Sequence, residues 1–187
     1  MLKFKNKYRT TSIRLQSWDY SCNGVYFITI CSKDKIPCFG QIINGSMQLS
    51  HIGVLADVFW HEIRHHTQNI ELDKFVVMPN HIHGILIINK PVETLHATSL
   101  PDEEQADLNG KNKTMSAISP KENSISTVIR SYKSAVSKHS RRLGYEFEWQ
   151  SRFYDHIIRN EESLNNIQQY VINNPKSWET DKFYTLY

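Results

Sequence analysis

Two histidines one residue apart, His81 and His83 in the run VVMPNHIHGILII (76–88), are the residues best placed for chemistry in this chain. The run otherwise reads as buried β-strand, where side chains alternate between faces. Both imidazoles therefore share one face while Ile82 points to the other. Neutral imidazoles on one face can hold a metal ion. The alternative is a pair of core histidines, each satisfied by a carbonyl or carboxylate, since a buried polar ring without a partner is costly. A second pair, Tyr170 and Asn174, lies four residues apart in NEESLNNIQQYVINNP (160–175). On a helix these side chains are neighbours, roughly 6 Å apart, and they flank an apolar stripe of Leu164, Ile167 and Val171. Docking of that stripe on a sheet would bring a phenol and an amide oxygen to the buried side. Taken by itself, the pair also suits an ordinary amphipathic helix with a half-buried tyrosine.

The elements that must position these groups are legible in order. GVYFITICS (24–32) is aromatic and β-branched after Asn23-Gly24, which predicts a strand. FGQIINGSMQLS (39–50) predicts a hairpin turning at Asn44-Gly45. Ser50 is a good N-cap for a helix whose apolar residues Ile52, Leu55, Phe59 and Ile63 fall at helical spacing. LDKFVVM (72–78) and IHGILII (82–88) predict two adjacent strands broken at Pro79-Asn80. Ile125, Val128, Ile129, Tyr132 and Val136 predict a helix ending near Gly144. FEWQSRFYDHIIR (147–159) predicts a further strand or extended segment. The last helix has Asn160 as cap, Glu161 and Glu162 in its first turn and Pro175 as terminator. The order predicts an α+β sandwich, a sheet with helices on one face. A length of 187 residues with 40% hydrophobic content predicts one domain spanning 1–187. The polar stretch 90–123, interrupted by Pro91, Pro101 and Pro120, reads as a mobile insertion.

Composition narrows the function classes. Three cysteines, Cys22, Cys31 and Cys38, with no CxxC pair disfavour a disulfide framework or a zinc ribbon. No stretch approaches the ~18 apolar residues of a membrane helix, and the basic start MLKFKNKYR lacks an apolar follow-on, so the expectation is a soluble cytoplasmic protein. The net charge of +3 is mild, and its distribution matters more than its size. Arg130, Lys133 and Arg141, with Lys138 and Arg142, lie away from the apolar stripe of the 125–142 helix, a face able to bind phosphates without reading sequence. KFKNKYR (3–9) mixes cations with Phe4 and Tyr8 in a way that suits phosphates and unpaired bases. Trp149 and Arg152 are further candidate DNA contacts, although Trp149 suits the core equally.

MPNHIHGILI resembles the HUH motif (histidine, hydrophobe, histidine) of the single-tyrosine HUH transposases, and YVINNP resembles their tyrosine helix. There the nucleophile is followed four residues later by a third metal ligand. The Asn-Pro ending, the lead-in SRFYDHIIRNEES and the opening IRLQSWDYSCNGVYFITICS are most similar to the REP-associated tyrosine transposase branch. The resemblance covers roughly 8–178 apart from 90–123. It implies a ferredoxin-like α/β sandwich with an antiparallel sheet, His81, His83 and Asn174 as metal ligands, and Tyr170 as nucleophile. It further implies a metal-dependent endonuclease and strand transferase acting on single-stranded or hairpin DNA through a 5′-phosphotyrosine, as a monomer or homodimer. A neutral nitrogen-and-oxygen ligand set without thiolate fits Mg²⁺ or Mn²⁺. Tyr154 is a rival nucleophile, disfavoured because it lacks the helical partner. The alternative function is a ferredoxin-like nucleic-acid-binding regulator that does not cleave.

Overall fold

The computed structural model describes residues 3–4, 7–8, 19–90 and 124–184. The expected insertion at 90–123 lies, from residue 91 onward, outside the described residues. Strand β1 is Gly24–Cys31; a hairpin follows, β2 Gly40–Ile43 and β3 Ser46–Leu49, then helix α1 His51–His66, β4 Ile70–Val77, β5 His81–Ile88, helix α2 Ile125–Arg142, β6 Tyr154–Ile158 and helix α3 Glu161–Asn173. The main sheet is antiparallel throughout, in the spatial order β4-β5-β1-β6. Taking its strands in chain order, that is 2-3-1-4 with helices in the two crossovers, the ferredoxin-like arrangement the resemblance implies.

Local chemistry explains the boundaries. The β2–β3 turn places Asn44 (φ 52°) and Gly45 (φ 71°) in the left-handed region that a two-residue hairpin turn requires. Ser50 caps α1 by accepting the Gly53 N–H, Ser124 caps α2 by accepting the Thr127 N–H, and Asn160 caps α3 by accepting the Ser163 N–H. Between β4 and β5 the break at Pro79-Asn80 is closed by the Met78 N–H donating to the His81 carbonyl. Pro175 does not stop the helical path. Asn174, although it precedes a proline, stays helical (φ −54°, ψ −43°), and the chain continues as a 3₁₀ helix over Asn174–Thr180. Of the extended segment expected at 147–159, 154–158 is strand, and Trp149 joins by a single bridge to Ser32.

The alternation of β1 and β5 divides the interior in two. Tyr26, Ile28, Ile30, Ile82, Leu86 and Ile88 face α1 and α2 with Trp60, Ile129, Tyr132 and Val136 in the larger cluster. On the other face, Phe27, Ile85 and Ile158 pack against Val171 of α3, with Leu164 and Ile167 beside them. The expectation of helices on one face therefore holds for α1 and α2 and is corrected for α3, which covers the opposite face. The reason is the sheet's own composition. Strands apolar on both sides leave a second face to be buried, and the α3 stripe buries it. Among the described residues no helix is long and apolar enough to cross a membrane.

Gly84 shows how tight the larger core is. It lies on β5 between His83 and Ile85, and a Cβ there would meet the Trp60 ring at 2.1 Å. Trp60 is fully buried and stacks on Phe75 at 4.6 Å, so it has no room to give way. Gly84→Ala is expected to destabilise the fold by about 1–3 kcal/mol through overpacking, read by urea unfolding. An unchanged midpoint would mean that the indole can move.

Candidate active site

The face of β5 that carries Ile85 also carries His81 and His83, both fully buried. Their strand partners on β1 are Cys31 and Thr29. Each ring is oriented through Nδ1. His83 Nδ1 pairs with Thr29 Oγ1 at 2.9 Å, and His81 Nδ1 with Asn80 Oδ1 at 2.8 Å. The Asn80 amide is oriented in turn, since its Nδ2 donates to the Phe183 carbonyl at 2.8 Å. Its oxygen must then accept from His81 Nδ1–H, which leaves a bare lone pair on His81 Nε2. Holding Nδ1 so that Nε2 is presented is the usual arrangement behind a metal-ligating histidine.

The two Nε2 atoms converge at 3.1 Å. At metal–ligand distances of about 2.1 Å, adjacent ligands of one ion lie about 3 Å apart, so this separation fits. Burial, with the Lys182 and Lys35 charges, lowers His81 to about 3; burial and neighbouring His81 hold His83 well below the ordinary value. Both rings are therefore neutral at physiological pH, the form that ligates.

α3 delivers the second pair to the same point. Tyr170 Oη lies 3.1 Å from His83 Nε2, and its ring sits edge-on to Phe27. One turn on, Asn174 is 1% exposed and its Oδ1 has no hydrogen-bond partner, a buried acceptor that a cation would satisfy. Asp181, from the turn after the 3₁₀ helix, completes the cluster. Its Oδ2 accepts from Asn174 Nδ2 at 3.0 Å and from Tyr170 Oη at 3.3 Å, and its Oδ1 accepts the Phe183 N–H at 2.7 Å. His81, His83 and Asp181 present ligand atoms within 4.8 Å of one another and form a group able to hold a metal ion. This group offers two imidazole nitrogens and a carboxylate oxygen without sulfur, a donor set that a divalent cation fits. Burial and Asp181 push the Tyr170 phenol up to about 12, so the hydroxyl keeps its proton at neutral pH.

The remaining expected residues lie elsewhere. Tyr154 pairs with Thr29 across β6 and β1 and is 48% exposed at the sheet edge, one strand further from His83 than Thr29 is. Lys133 Nζ donates to the carbonyls of Gln150 and Arg152, and burial lowers it to about 8. Trp149 Nε1 donates to the Lys133 carbonyl, and its ring packs on Phe39 at 5.2 Å. These bonds tie the 149–152 segment to α2. Arg130 and Arg141 are exposed on α2, in the layer across the sheet from Tyr170, and Arg152 is exposed in a left-handed turn (φ 73°). Among the other histidines, His51 stacks on Tyr145 and His139 packs on Phe59; among the described residues neither joins a metal-capable group. No motif or spacing in the sequence singles out Asp181, Thr29 or Asn80.

The neutral imidazoles have a consequence that needs no metal. Unfolded histidines take a proton near 6.5, whereas the native rings resist it, so the unfolded state binds more protons as the pH falls. The contribution of these two rings to the stability of the metal-free protein should be level above about pH 6.5. Below it, stability should decline by up to about 1.4 kcal/mol per pH unit for each buried ring. Urea midpoints between pH 7 and 5 check this, and a flat profile would contradict it.

A relative at the sequence level shows the family. A Haemophilus influenzae protein described as uncharacterized is 38% identical over 182 residues, covering 92% of both chains. The chain belongs to its family. No protein-family model matches. Among solved structures, a REP-associated tyrosine transposase bound to a REP hairpin is similar with a TM-score of 0.51 at 17% identity, over 91% of this chain and 73% of that one. The chain has the fold of a REP-associated tyrosine transposase. A candidate transposase from Deinococcus radiodurans also matches, with a TM-score of 0.42 at 13% identity, over 87% of this chain and 97% of that one. Within the REP-associated tyrosine transposase fold, the His81–His83 pair lies on a central strand and Tyr170 on the helix crossing the same face.

Proposed function

We propose that the chain is a metal-dependent, single-stranded DNA endonuclease and strand transferase of the REP-associated tyrosine transposase type. In this reading Tyr170 is the nucleophile, and His81, His83 and Asn174 are the metal ligands, with Asp181 at the same centre. The carrying observation is convergence: the Tyr170 hydroxyl lies 3.1 Å from His83 Nε2, which lies 3.1 Å from His81 Nε2, with the unpartnered Asn174 oxygen one helical turn away.

A phenol held up at about 12 is a weak nucleophile unless its target is activated. A bound Mg²⁺ or Mn²⁺ would supply Lewis-acid polarisation of the scissile phosphate. The chain's residues do the rest. Phe27 and the α3 stripe fix the Tyr170 ring, Thr29 and Asn80 fix the imidazoles, and Asp181 Oδ2 accepts the phenolic hydrogen bond. Attack by the Tyr170 oxygen on phosphorus, with the phenolic proton passing to Asp181 Oδ2, breaks the bond to the 3′ oxygen of the preceding nucleotide, which takes up a proton and leaves as a free 3′-OH. One phosphodiester is exchanged for another, so no ATP is consumed, and attack by a different 3′-OH would join strands. The structural neighbour is described as bound to a REP hairpin, so hairpin DNA is the first substrate to test here. The test is a denaturing gel of protein, hairpin oligonucleotide with a single-stranded flank, and Mn²⁺. The expected result is a covalent protein–DNA band that EDTA abolishes; cleavage unaffected by EDTA would overturn the metal role.

A further inference from the structure

The mouth of the centre carries cations and aromatic rings that the chemistry above does not use. Phe183 lies 4.5 Å from the His81 ring, centroid to centroid, and 6.0 Å from His83. Lys35 and Lys182 each place Nζ 5.0 Å from the Phe183 centroid, and Lys182 also stands 5.9 Å from the ring of Tyr154. Tyr154 is in line with the histidines: His83 pairs with Thr29, and Thr29 with Tyr154, so the three share one face across β5, β1 and β6. Two strand spacings of about 4.8 Å separate His83 from this exposed ring. The row thus runs from the sheet edge inward: Tyr154, Lys182, Phe183, Lys35, with the His81 ring against Phe183.

We propose that Tyr154, Lys182, Phe183 and Lys35 form a track for unpaired DNA leading into the His81–His83–Tyr170 centre, the ammonium groups holding phosphates beside the reacting one. The inference rests on the proposed function and assigns the residues that would seat its substrate. Three observations carry it. Alternating cations and ring faces are what non-sequence-specific single-strand binding uses, since every nucleotide offers a phosphate and a stackable base. Lys35 and Lys182 set their ammonium groups 5.0 Å from the Phe183 centroid, and that ring packs on His81 at 4.5 Å, so both cations stand beside the point where a phosphate would react. The backbone also spends conformational energy on Lys35. Asp34 (φ 53°) and Lys35 (φ 56°) are consecutive non-glycine residues in the left-handed region, within a 3₁₀ turn steadied by Ser32 Oγ donating to the Ile36 carbonyl and by the Lys33–Glu148 ion pair. Such strain persists where the surroundings impose it, and it concentrates at functional sites. Here it accompanies an ammonium group set over Phe183.

The test is fluorescence anisotropy with a labelled oligothymidylate of about 15 nucleotides, in the Tyr170→Phe background with EDTA, so that neither cleavage nor metal enters. The Lys35→Gln/Lys182→Gln protein should bind about tenfold more weakly at low salt, with the slope of log affinity against log salt reduced by about 1.4, or 0.7 for each phosphate that is no longer neutralised. Arg64→Gln, in the last turn of α1 in the layer across the sheet from Tyr170, should change neither value. Phe183→Leu should lose affinity for the single strand while leaving duplex binding unaltered. Unchanged affinity and slope in the double variant, or equal losses for duplex and single strand, would overturn the track. If wild-type protein shows metal-dependent cleavage and the double variant keeps the slope, the track fails alone. If binding depends on both lysines and no adduct ever forms, the chemistry fails alone.

Discussion

Tyr170→Phe is expected to bind single-stranded DNA as the unaltered protein does, yet neither cut it nor become attached to it. The substitution removes one oxygen. The ring stays edge-on to Phe27, the side chain is already 39% exposed, and the hydrogen bonds removed, to His83 and Asp181, are long enough and open enough to water that stability should change by about 1 kcal/mol or less. Chemistry has no such tolerance, because a covalent mechanism without its nucleophile stops. Cleavage should fall below detection while anisotropy titrations superimpose. Tyr154→Phe should still form the adduct, at a rate that reports only its place in the DNA track, since that ring stands at the sheet edge with Thr29 between it and His83. Adduct surviving in Tyr170→Phe and disappearing in Tyr154→Phe would transfer the role.

The second large effect concerns the metal. Mn²⁺ binding to the native site must stabilise it by mass action, by about 2.7 kcal/mol at a free concentration one hundred times the dissociation constant. For a chain of this size that corresponds to roughly 5–10 °C in Tm. His83→Ala should abolish the rise and the cleavage together. It should also lower the metal-free stability, by about 2–4 kcal/mol, because the ring is fully buried, stacks on Phe27 at 5.1 Å and satisfies the Thr29 hydroxyl. The diagnostic quantity is therefore the metal-induced increment, not the starting midpoint. Asn174→Ala should shrink the increment while leaving the phenol in place. A wild-type Tm insensitive to Mn²⁺ would leave the His81–His83 pair as a structural one.

The sequence made the two candidate pairs legible because each is local. Alternation in a strand is enough to set His81 beside His83, and one helical turn is enough to set Tyr170 beside Asn174. That these pairs meet depends on α3 covering the face that α1 and α2 leave open, and the order of elements does not specify a face. Asp181, Lys182 and Phe183 were illegible for another reason. Pro175 is a sound stop signal for an α-helix, yet the chain carries on as a 3₁₀ helix and returns its next turn to the site, with no periodicity to announce it. Lys133 and Trp149 show what residue type alone leaves open. A cation and an indole suit nucleic acid in isolation, but here the ammonium meets the Gln150 and Arg152 carbonyls and the indole donates to Lys133, partners that only the fold supplies. Thr29 and Asn80 orient the imidazoles through strand register and a single side-chain hydrogen bond, which no motif spacing encodes.

The atom that joins protein to DNA decides the mechanism, and label polarity reads it directly. A hairpin oligonucleotide with a single-stranded flank, labelled at its 3′ end in one sample and its 5′ end in another, is incubated with wild-type protein and Mn²⁺, then resolved under denaturing conditions and digested with trypsin. Attack by Tyr170 predicts that the 3′ label travels with the protein, that the 5′ label leaves on a shorter strand ending in a free 3′-OH, and that the modified peptide contains Tyr170. A 5′ label on the protein, or a modified peptide lacking Tyr170, would contradict this mechanism.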